Sequence, residues 1–197
     1  MPQISALEFY ALPLRVHTLL EGVPLHDVWA VDLPHPRERV TLAEFQRLTR
    51  QRRAIGRLPA STRALFGLRL FLGRIFRLEG EPKDAPATSF ASRLTPEDRA
   101  RSSVEAGTRD GLFRVVYRFE NESLLEVHNR TAHAALLNAL VETEAGYRFY
   151  MAVYVAKGSW TTPAYLALID PFRKWIVYPA LLKNIRATWL QFVFPRS

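Results

Sequence analysis

Glu126, His128 and His133 bring a carboxylate and two imidazoles into one short stretch of chain, the side-chain types that proton transfer requires. His128 and His133 flank a predicted turn. In that register Glu126 lies opposite His133, with Tyr117 across from Glu126. Enclosed, such a row is a candidate catalytic set; solvated, it is an ordinary polar and aromatic outer sheet face, which is the expectation here. A second group is Arg114, Arg118 and Asn138, polar exceptions on a face that otherwise reads as apolar. A buried amide or guanidinium without a partner is costly, so each needs an internal partner, the sheet edge or a ligand. These three are the candidate ligand contacts.

Other chemistries find little support. His17, His26, His35, His128 and His133 form no recognisable metal-ligand cluster with nearby carboxylates, and there is no HExxH, so no metal site is predicted. Gly67 and Gly73 sit in an apolar helical run and neither opens a helix after a strand, which disfavours a phosphate loop. Gly158-Ser159-Trp160 lacks the second glycine of a nucleophile elbow. The chain has no cysteine, hence no disulfide or thiolate chemistry, which is compatible with a reducing compartment. No cofactor is predicted.

The elements that must position these residues are read from periodicity and capping. Residues 23–33 read as a strand that stops at Pro34 and Pro36. Thr41 and Glu44 have capping-box spacing at the head of a helix that Gly56 and Pro59 break. Residues 59–78 read as a second helix, apolar nearly all round with Arg63, Arg69, Arg74 and Arg77 interleaved, and so an internal one. Residues 79–111 are a long polar connection or lid with one short helix, where Thr95 caps and Pro96 takes the first helical position.

Residues 113–120, 123–129, 131–143 and 147–156 then alternate as strands of an antiparallel meander, with turns at Asn121-Glu122, Asn129-Arg130 and Ala145-Gly146. One face carries Val116, Leu125, Val127, Ala132, Ala134, Leu136, Leu140, Met151, Val153 and Val155 and reads as the core. The other carries Tyr117, Glu126, His128, His133, Tyr150 and Tyr154. Residues 162–194 read as an amphipathic closing helix kinked by Pro171 and Pro179, its apolar side marked by Phe172, Trp175, Ile176, Leu182, Ile185, Trp189 and Phe192.

The 197 residues, 48% of them hydrophobic, fit one α+β domain spanning 1–197. No stretch approaches the roughly 18 uninterrupted apolar residues of a spanning helix, and the N-terminus lacks the pattern of a secretory signal. The chain is expected to be cytoplasmic. A formal charge of +8 raises the question of an anionic partner. Arg47, Arg50, Arg52, Arg53 and Arg57 cluster at the end of the first helix, but no recognition motif or aromatic platform accompanies them, so nucleic acid is not expected.

The strings LPASTRALFGLRLFLGRIFRL, GTRDGLFRVVYRFENE and YRFYMAVYVAKGSWTTPAYLALIDPFRKWIVYPALL resemble an uncharacterised bacterial domain-of-unknown-function family (DUF2867) placed with the START-like, polyketide-cyclase-type (SRPBCC) proteins. The similarity spans about residues 25–190. It implies a helix-grip fold, a curved antiparallel sheet wrapped around the C-terminal helix with an apolar cavity between them, and it carries over no catalytic residue. The function so implied is the binding or carrying of a small hydrophobic molecule. The alternative is a cyclase-type enzyme on a hydrophobic carbonyl compound, using Glu126, His128 or His133. A third is peripheral membrane attachment through the Arg-rich second helix and the Trp-bearing C-terminal helix.

Overall fold

A curved six-stranded antiparallel sheet in the order β1-β6-β5-β4-β3-β2 dominates the computed structural model of this α+β chain. The strands are β1 (Leu25–Pro34), β2 (Arg109–Asp110), β3 (Phe113–Arg118), β4 (Glu122–His128), β5 (His133–Thr143) and β6 (Gly146–Ala156). The helices are α1 (Ala6–Tyr10), α2 (Val16–Leu19), α3 (Leu42–Ile55), α4 (Pro96–Arg101) and α5 (Tyr178–Val193), with a 3-10 turn at Phe90–Arg93 and a π-helical turn at Arg173–Val177. The structure describes residues 3–34, 39–55, 89–111, 113–128, 133–156, 167, 170–171 and 173–194, with side chains omitted for 49–55. The helix expected over 59–78, the turn at Asn129-Arg130 and the Gly158-Ser159-Trp160 segment lie outside these residues.

Local chemistry accounts for the elements. At the head of α3 the Thr41 amide donates to Glu44 Oε2 at 2.9 Å while the Glu44 amide donates to Thr41 Oγ1 at 3.3 Å. A second capping box joins Thr95 to Asp98, with Pro96 starting α4. The β2–β3 hairpin turns at Gly111, whose φ of 66° suits a residue without a Cβ. The loops between β3 and β4 and between β5 and β6 fall at Glu120 and Asn121 and at Glu144 and Ala145, one residue earlier than the spacing suggests.

Both faces of the sheet are covered. The helix face carries Trp29, Val31, Leu33, Leu140, Phe149 and Met151 against Leu42 and Phe45 of α3 and Leu182, Ile185 and Trp189 of α5. Trp189 packs 5.7 Å from the Phe45 ring centroid and donates to the Pro34 carbonyl at 2.7 Å. On the opposite face Val28, Ala30, Tyr117, Leu124, Leu137, Ala152 and Tyr154 pack under Phe9, Leu14, Val16, Leu19 and Leu20 of the N-terminal segment and Phe90 of the 3-10 turn. This corrects the expectation of a solvated outer face: among the described residues the division between faces holds except at Val116, but the polar face is closed. The reason is the N-terminal segment, which the sequence reading leaves unassigned. Its α1 is capped by Ser5, whose side chain accepts from the Glu8 amide, the same spacing as Thr41 and Glu44.

The sheet departs from regular pairing at two places. β3 shifts register between Val115 and Tyr117, so Arg114 pairs with Glu126 while Arg118 pairs with Ser123 on the other face. Val116 therefore joins the core under the N-terminal segment, contrary to its expected place. β1 shifts between Leu25 and Asp27, leaving His26 as the extra residue. Outside β1, Gln3 forms an isolated bridge with Trp29, and the Ile4 amide donates to the Val28 carbonyl at 3.1 Å.

Candidate functional site

The irregularity in β1 turns two adjacent side chains toward the segment that leads into α5. His26 Nε2 lies 2.8 Å from Asp170 Oδ2, and Asp27 Oδ2 lies 3.3 Å from Arg173 Nη2. Arg173 ties the group together, donating from Nη1 to Asp170 Oδ1 at 2.9 Å and from Nε to the Tyr178 hydroxyl at 2.8 Å. Lys174 Nζ stands 3.4 Å from Asp170 Oδ2. The Trp29 and Tyr178 rings meet at 5.4 Å, nearly edge to face.

Electrostatics separate the two carboxylates. The Asp27 side chain is fully buried, and burial pushes its pKa up despite the pull of Arg173 and His26. Burial acts the same way on Asp170, but the His26 hydrogen bond and the charges of His26, Arg173 and Lys174 outweigh it and hold Asp170 low. The Tyr178 hydroxyl is pushed up to about 12, chiefly by burial, and stays protonated at neutral pH. One carboxylate is thus a settled anion, and the other has an elevated pKa, the arrangement that lets a group exchange a proton.

Asp27 Oδ1 is buried with no hydrogen-bond partner among the described residues, and so is Trp29 Nε1. The same holds for Ser123 Oγ and Arg118 Nε. These four atoms share one face of the sheet. Trp29, Met151, Asn138, Ser123 and Arg118 are successive cross-strand partners, and the neighbouring row runs Asp27, Val153, Leu136, Leu125, Val115. Four inter-strand spacings of about 4.8 Å make the row roughly 19 Å long. Between its polar ends lie Leu136, Asn138 and Val153, all only half-buried. Buried hydroxyl, indole and carboxylate groups normally have partners, and His17, Arg148 and Tyr154 hold the other buried side-chain atoms without a hydrogen-bond partner among the described residues; what distinguishes these four is their alignment beside an incompletely covered apolar patch.

The expected site residues fall on both faces. Asn138 and Arg118 belong to the helix-face row just described, where Arg118 Nη2 donates to Asp110 Oδ2 at 2.7 Å. Arg114 does not join them; it precedes the shift in β3, lies on the other face, and is exposed. Glu126 and His133 are brought together, with His133 Nε2 3.1 Å from Glu126 Oε2, but as diagonal neighbours: Glu126 pairs with Ala135 and Tyr117 with Leu124. His128 pairs with His133, their rings 4.6 Å apart. Burial lowers the His128 pKa.

Glu126 is a fastener. It accepts from Ser89 Oγ and, at 2.9 Å, from the Phe90 amide, and Phe90 stacks on His133 at 3.9 Å. The contacts from Ser89 and Phe90 pin the 3-10 turn to the sheet, and His133 holds the carboxylate from β5. Burial pushes the Glu126 pKa up, but the bonds from His133, Ser89 and Phe90 outweigh it and leave it below the usual value. Glu122 plays a similar part for α2, accepting from the Arg15 and Val16 amides at 2.9 Å and from the Tyr117 hydroxyl.

His26, Asp27, Asp170, Arg173 and Tyr178 escape sequence reasoning because His26 and Asp170 lie 144 residues apart and Asp27 and Arg173 146; the adjacent His26-Asp27 pair at the start of a strand is the only local signal. His26, Asp27 and Asp170 place one ligand atom each within 4.8 Å of one another, a grouping the sequence does not show. Arg173 and Lys174 already neutralise both carboxylates, so a cation would have to displace them. Among the described residues no helix is long and apolar enough to cross a membrane.

Comparison with known proteins gives one result: no curated protein and no solved structure matches the chain, whereas a family model does. That model, described as protein of unknown function (DUF2867), matches residues 19–180, and the chain belongs to this family.

Proposed function

We propose that this chain binds a small, mainly apolar molecule between the helix face of its sheet and α5, in the manner of a START-like helix-grip protein. The observation that carries the reading is the alignment of Asp27 Oδ1, Trp29 Nε1, Ser123 Oγ and Arg118 Nε, buried and unpartnered among the described residues, along two adjacent cross-strand rows. Binding sites of this type are apolar with a few placed polar groups, and half-buried Leu136 and Val153 beside Asn138 supply that mixture. The ligand's polar end faces Asp27 and Trp29, its body the β4–β6 patch. Native mass spectrometry of protein from its own host should show a retained small molecule. Protein that is consistently empty and shows no thermal shift across a panel of lipids and aromatic compounds would reject the reading.

A second reading is an enzyme acting on a hydrophobic carbonyl compound. Its support lies at Asp27, whose raised pKa and unpartnered oxygen suit a general base or acid, and not at Glu126, His128 and His133, which lie on the opposite face, where Glu126 and His133 hold the Phe90–Arg93 turn. Turnover of a bound compound that Asp27→Asn abolishes while binding persists would select this reading over simple carriage.

A further inference from the structure

From Arg173 to Phe194 the chain contains no acidic residue. Tyr178, Leu182, Ile185, Trp189 and Val193 account for the buried side of α5. A surface helix ordinarily turns polar residues outward, yet here Trp175 is 79% exposed, Phe194 61%, Ile176 42% and Leu190 37%. Pro179, Lys183, Arg186, Ala187 and Leu190 line an open, apolar groove along this outward side. Lys183 and Arg186 are both exposed, and neither has an ionic partner among the described residues.

Apolar and cationic groups thus share one side of a helix in a chain of net charge +8. A partner protein with an acidic patch would satisfy the two charges but would leave an indole and a phenyl ring to find their own pockets. A lipid surface satisfies both at once: headgroup phosphates pair with the basic side chains, while the rings sit at the boundary of the acyl layer. We propose that the outward side of the π-helical turn and α5 docks on an anionic bilayer, the helix lying in the plane of the surface, with Trp175 and Phe194 inserted at its two ends. Lys183 and Arg186 contact lipid phosphates from the middle of the helix, and the groove between them takes acyl-chain carbons. This docking does not depend on what the sheet holds.

The test is co-sedimentation of the full chain with vesicles of phosphatidylcholine alone or mixed with phosphatidylglycerol. Binding is expected to the mixed vesicles, to fall as salt is added, and to weaken about fivefold for each of Lys183→Gln and Arg186→Gln. Trp175→Ala should also weaken it, and the thermal midpoint of all three variants should stay at the wild-type value, because these side chains are exposed. Two results would overturn the proposal. One is partitioning that ignores phosphatidylglycerol content or survives all three substitutions unchanged. The other is a dimer in sedimentation velocity that the same substitutions dissolve, which would make a second copy of the chain the occupant of this face.

Discussion

Replacing Ser123 by alanine gives a direct check on the unpartnered row. Ser123 is fully buried, and its hydroxyl has no partner among the described residues. Leaving such a group unsatisfied costs about 1–3 kcal/mol, whereas the void left by one missing oxygen costs a few tenths of that unit. In protein stripped of bound molecules by unfolding and refolding, Ser123→Ala should therefore be stabilising by about 1 kcal/mol or more, which for a chain of this size raises the melting midpoint by roughly 2–4 °C. With ligand bound the sign reverses for affinity: a lost neutral hydrogen bond weakens binding about fivefold. Thermal melts of stripped wild type and variant, followed by titration with the molecule recovered from the host, measure both terms. A stripped variant that melts below wild type would show that the hydroxyl is already satisfied, and the inference drawn from the row would fail with it.

Asp27 extends the same reasoning to pH. Its raised pKa means that the folded state holds the proton more tightly than the unfolded chain, so this group's contribution to stability falls as pH rises from its ordinary 3.8 through the folded value. Asp27→Asn should therefore raise the melting midpoint at pH 7, with the gain shrinking as the pH drops below about 4, where wild type is protonated in both states. Glu126 has the opposite sign: its pKa is lowered from 4.5, so its stabilisation is present above that value and is lost as pH falls through the folded one. Hydrogen exchange should show the Phe90–Arg93 turn opening on acidification below 4.5, and Glu126→Gln should remove that dependence. Glu122→Ala strands the Arg15 and Val16 amides and the Tyr117 hydroxyl together and should destabilise the fold by roughly 3 kcal/mol in urea titrations, with ligand affinity on the other face little changed.

Much of the sheet is legible in the residues themselves. Alternation along β4, β5 and β6 sorts Leu125, Leu136, Met151 and Val153 from Glu126, His133, Tyr150 and Tyr154, and the structure keeps that division. Two kinds of information are missing from alternation. One is the extra residue: nothing in FRVVYR announces that Val116 is passed over, yet that step sends Arg114 and Arg118 to opposite faces. The other is what lies over a face. Glu126 and His133 look like a solvated pair because the turn that covers them lies 36 and 37 residues before Glu126, and so short a turn leaves a weak periodic signal; the rest of that face is covered by α1 and α2, which are as short and lie farther off in the chain. The Asp27 group is hidden for the same reason, since its partners Asp170 and Arg173 arrive only when the last helix docks.

The pairing of Gln3 with Trp29 and of Ile4 with Val28 has a bearing on solubility. β1 ends the sheet on one side, and β2, at two residues, is too short to recruit another strand on the other. A ten-residue edge such as β1 is a template for intermolecular growth unless something occupies it. The first turn of chain before α1 acts as that stopper, at the level of the indole whose ring belongs to the proposed site. Trimming residues 3 and 4 should thus leave a monomer-sized domain prone to fibrous or paired association through β1, and any tag joined directly to this end would compete for the same row of backbone amides.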